Sequence, residues 1–277
     1  MDEKSRICLS LTAPTLQEDL RLIDSRRPFI DMVEVRADFL ESGELAHLPS
    51  FPKRAGLPSI ITIRRRRDGG LWSASEPQRR GLLARAVSGG YAYVELEEDL
   101  EDPALADAAK RAGARVIRSC HDASGMPDRL AERLQDLARR PGEIPKLAVT
   151  PQTVRDLPLL VDACRRFAGR EKVLFGMGEF GLFSRILATR LGNHLTYCSV
   201  ESGPAAAPGW SGLAVPSVGC RGSWRARRPA SVRSAVMALT AEPSSRVESF
   251  TTASRIWSVS PEPSTSMTSV LAIDPRV

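Results

Sequence analysis

Two side chains of this sequence, a lysine inside one apolar segment and a histidine at the end of another, could carry out carbonyl and proton chemistry. Lys146 interrupts the apolar run 144–149, and His121 follows the run 115–119. Burial disfavours the ammonium form of a lysine, and the resulting neutral amine can attack a ketone to form a Schiff base. An imidazole exchanges protons near neutral pH. Together the two residues predict iminium chemistry, with removal of a proton beside the carbon that carries the nitrogen.

Lys146 also has a plainer structural interpretation. The stem of a lysine often packs against apolar neighbours while its amine reaches solvent. The chain has three histidines. His47 lies in a proline-broken connection and His194 at the start of a predicted strand, so His121 alone is well placed for chemistry.

Charged residues on two other segments could bind a polar substrate. Period-two alternation places Glu34, Arg36 and Asp38 on one face of the second apolar run, as a binding cluster or as an internal ion-pair network. Arg64 begins a run of four arginines. The alternatives for that run are a solvated loop, an anion patch or, because charge alone is weakly specific, a nucleic-acid contact.

Arg185 follows a glycine-rich segment, 176–181, and is expected within the first two turns of a helix. There it would lie beside the exposed N–H groups of the helix and complete a site for a carboxylate. The alternative is an arginine on the helix surface.

The elements that must position these side chains alternate along the chain. Most of the short apolar runs are separated by amphipathic stretches, which predicts right-handed βαβ units and a parallel sheet. Eight such strands in about 200 residues favour a (β/α)8 barrel. The alternative is a doubly wound open sheet, but no G-x-G-x-x-G follows the first strand. The predicted strands are 7–11, 32–36, 59–63, 91–96, 115–119, 144–149, 173–177 and 195–200.

Composition excludes several classes of protein. Of the net charge of +6, residues 210–277 carry +4, so residues 1–209 are nearly neutral and a nucleic-acid partner is not expected for most of the chain. Five scattered cysteines form no C-x-x-C pair and are interpreted as free thiols. No apolar run approaches the roughly 20 residues of a membrane span, and the N-terminus lacks a signal-peptide core. We therefore expect a cytoplasmic protein with no membrane partner.

Eight segments, in order along residues 7–209, resemble those of the type I 3-dehydroquinate dehydratases, (β/α)8 lyases of the shikimate pathway of aromatic amino acid biosynthesis. One such segment would be weak support, whereas eight in sequence are highly specific. The segments are ICLSL at 7–11, VEVRAD at 33–38, TIR at 62–64 with DGG at 68–70, SCHD at 119–122, PKLAV at 145–149 with PQ at 151–152, GMG at 176–178 with Gly181 and SR at 184–185, LTY at 195–197, and APG at 207–209.

The resemblance implies a mechanism and a set of roles. Lys146 would condense with the ring ketone of 3-dehydroquinate, and His121 would remove the C2 proton and protonate the departing C1 hydroxyl. Asp68 would orient the histidine, and Met177 would support the pocket. The residues implied to contact the substrate are Ser10, Glu34, Arg36, Arg64 and, for its carboxylate, Arg185. The resemblance calls for no metal or organic cofactor, and by analogy a homodimer is expected.

Residues 210–277 depart from the resemblance. Trp210 stands where the family has a glutamine that closes over the substrate carboxylate, and no eighth amphipathic helix follows. We expect a barrel domain over 1–209 whose last helix is missing or replaced, and a disordered Ser/Arg/Pro-rich tail over 210–277. One hypothesis for the tail is an out-of-frame translation, which an intact frame confirmed on the native protein would contradict. The altered end predicts lower stability and an activity reduced about 10²–10³-fold.

Two other functions stay open from the sequence. The first is another Schiff-base barrel, a class I aldolase, which the cluster of Glu34, Arg36 and Arg64 disfavours. The second is a catalytically impaired barrel that serves binding alone.

Overall fold

The computed structural model of the chain describes residues 4–199, and within them eight parallel strands form a nearly closed barrel. The hydrogen-bonded order is β7-β6-β5-β4-β3-β2-β1-β8. Because β8 pairs with β1, neighbours in the barrel are neighbours in sequence, which confirms the (β/α)8 prediction and shows that the doubly wound alternative is wrong. The strands are β1 Arg6–Leu11, β2 Met32–Arg36, β3 Ser59–Thr62, β4 Tyr93–Glu97, β5 Arg115–His121, β6 Ile144–Val149, β7 Val173–Gly176 and β8 Leu195–Cys198.

Seven α-helices lie within residues 4–199. They are α1 Leu16–Arg26, α2 Phe51–Ala55, α3 Glu76–Val87, α4 Pro103–Arg111, α5 Leu130–Leu137, α6 Leu157–Arg166 and α7 Gly178–Ile186. The weak connection after β2 is a 3-10 helix, Ser42–Ser50, with Pro49 inside it, followed by the short α2. The predicted missing eighth helix and the predicted tail over 210–277 lie outside the described residues. No helix in residues 4–199 is long and apolar enough to span a bilayer.

Local sequence explains where several helices begin. Ser75 caps α3 by accepting from the Gln78 N–H, and the Gln78 side chain accepts from the Ser75 N–H in return. Asp102 caps α4 through the Leu105 N–H. Each cap satisfies a backbone donor that has no partner inside its helix.

The strand that ends in His121 is longer than predicted. Its expected end was residue 119, but β5 continues to His121, which lies opposite Ala148 of β6. The Asp122 N–H donates to the Ala148 carbonyl at 2.8 Å, so pairing with β6 extends the strand beyond its apolar residues. His121 therefore lies on a strand and not in the following loop.

Alternation along the strands divides the core into an inner and an outer part. One buried cluster, which includes Met32, Ile60, Ile117 and Ile144, fills the inside of the barrel. Two other clusters lie between the strands and the helices. Along several strands, the inward position after the apolar residue is occupied by a polar side chain. These polar side chains form the site.

Candidate active site

Polar side chains from neighbouring strands meet inside the barrel, next to the inner apolar cluster. Their side chains are buried, and most of them face inward because they lie two residues along the strand from an inward position. The members of this inner polar cluster are Ser10, Glu34, Thr62, Arg64, Glu95, His121 and Lys146. Buried charge is costly unless it is paired, so the contacts within the cluster decide its chemistry.

Lys146 lies at the centre of the inner polar cluster. Its side chain is 2% exposed, so the amine does not reach solvent. Nζ lies 2.5 Å from Glu95 Oε2, 3.9 Å from Glu34 Oε1 and 4.2 Å from the centre of the Tyr197 ring. Burial lowers the pKa of Lys146, the two carboxylates oppose that shift, and Arg64 adds to it. A lowered pKa makes the neutral, nucleophilic amine easier to form.

His121 lies beside the same carboxylate as Lys146. Its side chain is 6% exposed, and Nε2 is 3.7 Å from Glu95 Oε1. Neither ring nitrogen has a hydrogen-bond partner within residues 4–199. Burial lowers the pKa of His121 well below its ordinary value, and the charges of Arg64 and Lys146 lower it further. The imidazole is therefore neutral near pH 7 and able to accept a proton.

Glu34 accepts hydrogen bonds from side chains on both neighbouring strands. Ser10 Oγ donates to its Oε2 at 2.6 Å, and Thr62 Oγ1 donates to its Oε1 at 2.9 Å. Arg64 Nη2 is 4.0 Å from Glu34 but 2.9 Å from Glu95 Oε1, so its principal partner is Glu95. The structure thus brings Ser10, Glu34 and Arg64 together around Lys146.

Arg36 is held by an internal ion pair. Its Nε donates to Asp38 Oδ1 at 2.9 Å and its Nη2 to Asp38 Oδ2 at 2.7 Å, and both side chains are buried. The backbone N–H of Leu71 also donates to Asp38, at 3.0 Å. This bidentate pair joins two of the three residues of the ion-pair network that the sequence left open, and it fixes the guanidinium plane.

Asp68 is placed against an arginine and not against the histidine. Arg65 Nε donates to Asp68 Oδ2 at 2.6 Å, and the Arg65 guanidinium also binds Asp99. Within residues 4–199, the carboxylate that faces the His121 ring is that of Glu95. Arg67 also binds Asp99, so acidic residues neutralise part of the arginine run.

The position expected for Arg185 within its helix was wrong. Helix α7 has nine residues, and Arg185 lies in its last turn, far from the N-terminal N–H groups. The helix begins immediately after β7, at Gly178, which leaves the arginine near the carbonyl end, where a positive charge is favourable. Arg185 is 6% exposed, so the surface alternative is also wrong. Burial lowers the pKa of Arg185.

Close packing fixes α7 against the end of β7. A Cβ at Gly181 would lie 2.1 Å from the Gly176 carbonyl carbon, so both positions require glycine. Ser184 Oγ donates to the Gly181 carbonyl at 2.6 Å and accepts from the Gly176 N–H at 2.8 Å. Met177, between the two elements, is buried with the inner apolar cluster.

Three residues of the site were not among those predicted from the sequence. Glu95 is an acid inside an apolar run, the same signal that identified Lys146, and that signal could have found it. Thr62 and Tyr197 carried no such signal, because a threonine or an aromatic residue is ordinary in a strand. In the part of the chain that the structure describes, no group of three His, Cys, Asp or Glu side chains is arranged to hold a metal ion.

Comparisons with known proteins show similarity in sequence and in fold. A family model described as type I 3-dehydroquinase matches residues 7–214. A 3-dehydroquinate dehydratase of Syntrophobacter fumaroxidans is 34% identical over 219 residues, covering 74% of this chain and 91% of that protein. One from Methanococcus maripaludis is 29% identical over 211 residues, covering 73% and 93%. The crystal structure of the Geobacillus kaustophilus 3-dehydroquinate dehydratase, at 24% identity, shares the fold with a TM-score of 0.66 over 74% of this chain and 86% of that one.

Proposed function

The chain belongs to the type I 3-dehydroquinase family, and from this premise we propose that it dehydrates 3-dehydroquinate to 3-dehydroshikimate through an imine on Lys146. The observation that carries the proposal is the burial of the Lys146 amine inside the barrel, within reach of the carboxylate that also faces His121. Burial favours the neutral amine, and the enclosure excludes the bulk water that would compete for the substrate.

The proposed reaction begins at Lys146 Nζ. The amine attacks the ring ketone, and the carbinolamine that forms loses one molecule of water to give an iminium ion. The positive iminium nitrogen withdraws electrons from the adjacent carbon, C2, and makes its proton acidic. No cofactor is needed for this step, because the lysine itself supplies the electron sink.

His121 is the proposed acid and base. The neutral ring takes the proton from C2, which leaves an enamine, and the electron pair of the enamine expels the C1 hydroxyl. The imidazolium returns its proton to that hydroxyl, which departs as water. Hydrolysis of the remaining iminium releases 3-dehydroshikimate and restores the Lys146 amine.

Binding is assigned to the charged groups around this pair. Glu34 and Arg64, which lie beside Lys146, are proposed to contact the ring hydroxyls, together with Arg36 and Ser10. Arg185 is proposed to bind the carboxylate, since its guanidinium can contact a carboxylate through two parallel hydrogen bonds. The role of Asp68 as the group that orients His121 has no support from its contacts, because its carboxylate is bound to Arg65.

The proposal predicts a covalent adduct that can be trapped. Incubation with 3-dehydroquinate and borohydride should reduce the iminium to a stable secondary amine on Lys146, detected by mass spectrometry of the digested protein. Lys172 is the matched control, since it is equally buried but donates to the Gly192 carbonyl and not to a carboxylate. An adduct on Lys172, or none on Lys146, would contradict the proposal.

The same trapping experiment, repeated with an aldol donor ketone in place of 3-dehydroquinate, separates the two other functions. A class I aldolase would be trapped with an aldol donor ketone but would not convert 3-dehydroquinate. A barrel that serves binding alone would form no adduct with either compound. Lys146→Met should abolish the adduct, whereas Lys172→Met should leave it in place.

A further inference from the structure

One carboxylate lies next to the proposed nucleophile, the proposed base and Arg64. Glu95 is buried on β4, and its two oxygens are used differently. Oε2 accepts from Lys146 Nζ at 2.5 Å. Oε1 accepts from Arg64 Nη2 at 2.9 Å and lies 3.7 Å from His121 Nε2. Neither the nucleophile nor the base has another carboxylate so close within residues 4–199, since Glu34 is 3.9 Å from Nζ.

The geometry assigns Glu95 as a positioning residue of the proposed dehydration, an inference that rests on the proposed function. One oxygen anchors the Lys146 amine while the other faces the His121 ring, so a single side chain sets the nucleophile beside the base. Positioning of this kind matters because small displacements of reacting groups cost large factors in rate.

The charge of Glu95 has a second consequence. The iminium ion carries its positive charge on the nitrogen that Glu95 already contacts, and it retains one N–H that can donate to Oε2. A carboxylate at hydrogen-bond distance in a buried site stabilises that cation more than water would. Burial alone would raise the pKa of Glu95, but Lys146, Arg64 and His121 lower it well below its usual range, so the group is ionised.

The pH dependence of the amine follows from all the groups that face it. Titratable or charged side chains surround Lys146 from five other strands and from the loop after β3. They are Cys8 on β1, Glu34 on β2, Arg64 after β3, Glu95 on β4, His121 on β5 and Tyr197 on β8. Among these, Glu95 is the largest influence that favours the ammonium form. Its removal should therefore lower the pKa of Lys146 further, and the same change removes the group that raises the pKa of His121.

The test measures the Lys146 adduct with 3-dehydroquinate and cyanoborohydride as a function of pH. Adduct formation should rise with pH as Lys146 loses its proton, and this rise is the acid limb of the pH profile. In Glu95→Gln, which keeps the shape of the side chain and removes its charge, the acid limb should move to lower pH by about 1 to 3 units. Turnover should fall by about 10²-fold, the scale of losing one stabilising group. In Glu95→Asp, which keeps the charge and shortens the reach, turnover should fall while the acid limb stays in place.

Glu97→Gln is the matched control. Glu97 lies two residues further along β4, is also buried, and pairs with Arg79 instead of the inner polar cluster. The acid limb of adduct formation in Glu97→Gln should coincide with that of the wild type. The assignment would be overturned if adduct formation in Glu95→Gln rose at the same pH as in the wild type, or if Glu97→Gln showed an equal shift in that pH. Full turnover in Glu95→Asp would also overturn it.

If Glu95→Gln does not fold, the turnover of Glu95→Asp still tests the assignment. A wild-type protein that forms no adduct overturns the proposed function itself, and this assignment with it.

Discussion

At the scale of the residue, the inner polar cluster balances charge in a space without bulk water. Glu34 and Glu95 face Lys146 and Arg64, and each carboxylate accepts at least one close hydrogen bond. An unpaired charge at this depth would cost several kcal/mol. The pairing leaves His121 neutral, because its positive neighbours and its burial oppose a further cation.

The aromatic ring of Tyr197 contacts the Lys146 amine. Its ring face lies 4.2 Å below the Lys146 amine, and its buried hydroxyl has no hydrogen-bond partner within residues 4–199. Burial and the nearby carboxylates raise the pKa of Tyr197 well above its ordinary value, so the hydroxyl is neutral. At a pH where the free amine is neutral, Tyr197→Leu should weaken adduct formation on Lys146 by about 2- to 30-fold, because the ring face no longer stabilises the positive iminium nitrogen and a cation–π contact contributes about 0.5–2 kcal/mol.

Tyr197→Phe is the control for that change. It keeps the ring face and removes a hydroxyl whose burial has a cost, so adduct formation should persist and the thermal midpoint should not fall. Equal loss of adduct in both variants would show that the hydroxyl, and not the ring, supports Lys146.

At the scale of the element, the contact between β7 and α7 places Arg185. Gly176 and Gly181 let the backbones approach closely, and Ser184 joins the two elements through its hydroxyl. The helix therefore has little freedom to slide along the strand. Arg185 follows Ser184 directly, so its position depends on this junction.

Gly181→Ala tests the junction. Its Cβ would lie 2.1 Å from backbone of Gly176, which has to move, and we expect a loss of about 1–3 kcal/mol in the free energy of unfolding. Urea unfolding measures this loss. KM for 3-dehydroquinate should also rise, because Arg185 moves with the helix.

Gly81→Ala is the matched control for that substitution. Gly81 lies inside α3, where an added Cβ meets no atom within 4 Å. Alanine there should stabilise the protein by about 0.5–1 kcal/mol through better helix propensity. A destabilised Gly81→Ala, or a neutral Gly181→Ala, would contradict the packing argument.

At the scale of the whole molecule, the structure describes the barrel, whereas the predictions for the tail are still to be tested. The described barrel brings together the residues proposed for the chemistry, whereas Trp210 and the expected tail over 210–277 lie outside the described residues. The expectations of reduced activity and of lower stability therefore remain predictions. They can be separated, because one concerns a single side chain and the other a whole segment.

Two variants separate them. Trp210→Gln restores the amide that the family resemblance places over the substrate, and kcat/KM should rise about 10²–10³-fold with little change in thermal midpoint. Replacing residues 210–277 with the terminal segment of a relative that carries the eighth helix should raise the thermal midpoint, because it covers apolar surface. Equal midpoints for the parent and the replaced chain would contradict the stability prediction.

The architecture and the two residues at the centre of the proposed chemistry could be predicted from the sequence. Apolar runs alternating with amphipathic stretches are local patterns, so the number and order of the strands could be predicted from them. A lysine inside an apolar strand is also a local signal, and Lys146 is buried as that signal predicted. The helix containing Arg185 was predicted too, but Arg185 was expected in its first two turns and lies in its last turn, because a glycine-rich segment does not show where the helix begins.

Which charged groups meet inside the barrel depends on the tertiary structure. Glu95 and Lys146 are separated by 51 positions in sequence, and Glu34 and Thr62 by 28. The side chains that face each other across a barrel depend on the tilt and stagger of its strands, which no local pattern records. For this reason the sequence did not predict that Glu95 binds Lys146 and faces His121, while Asp68, which the resemblance favoured, lies against Arg65.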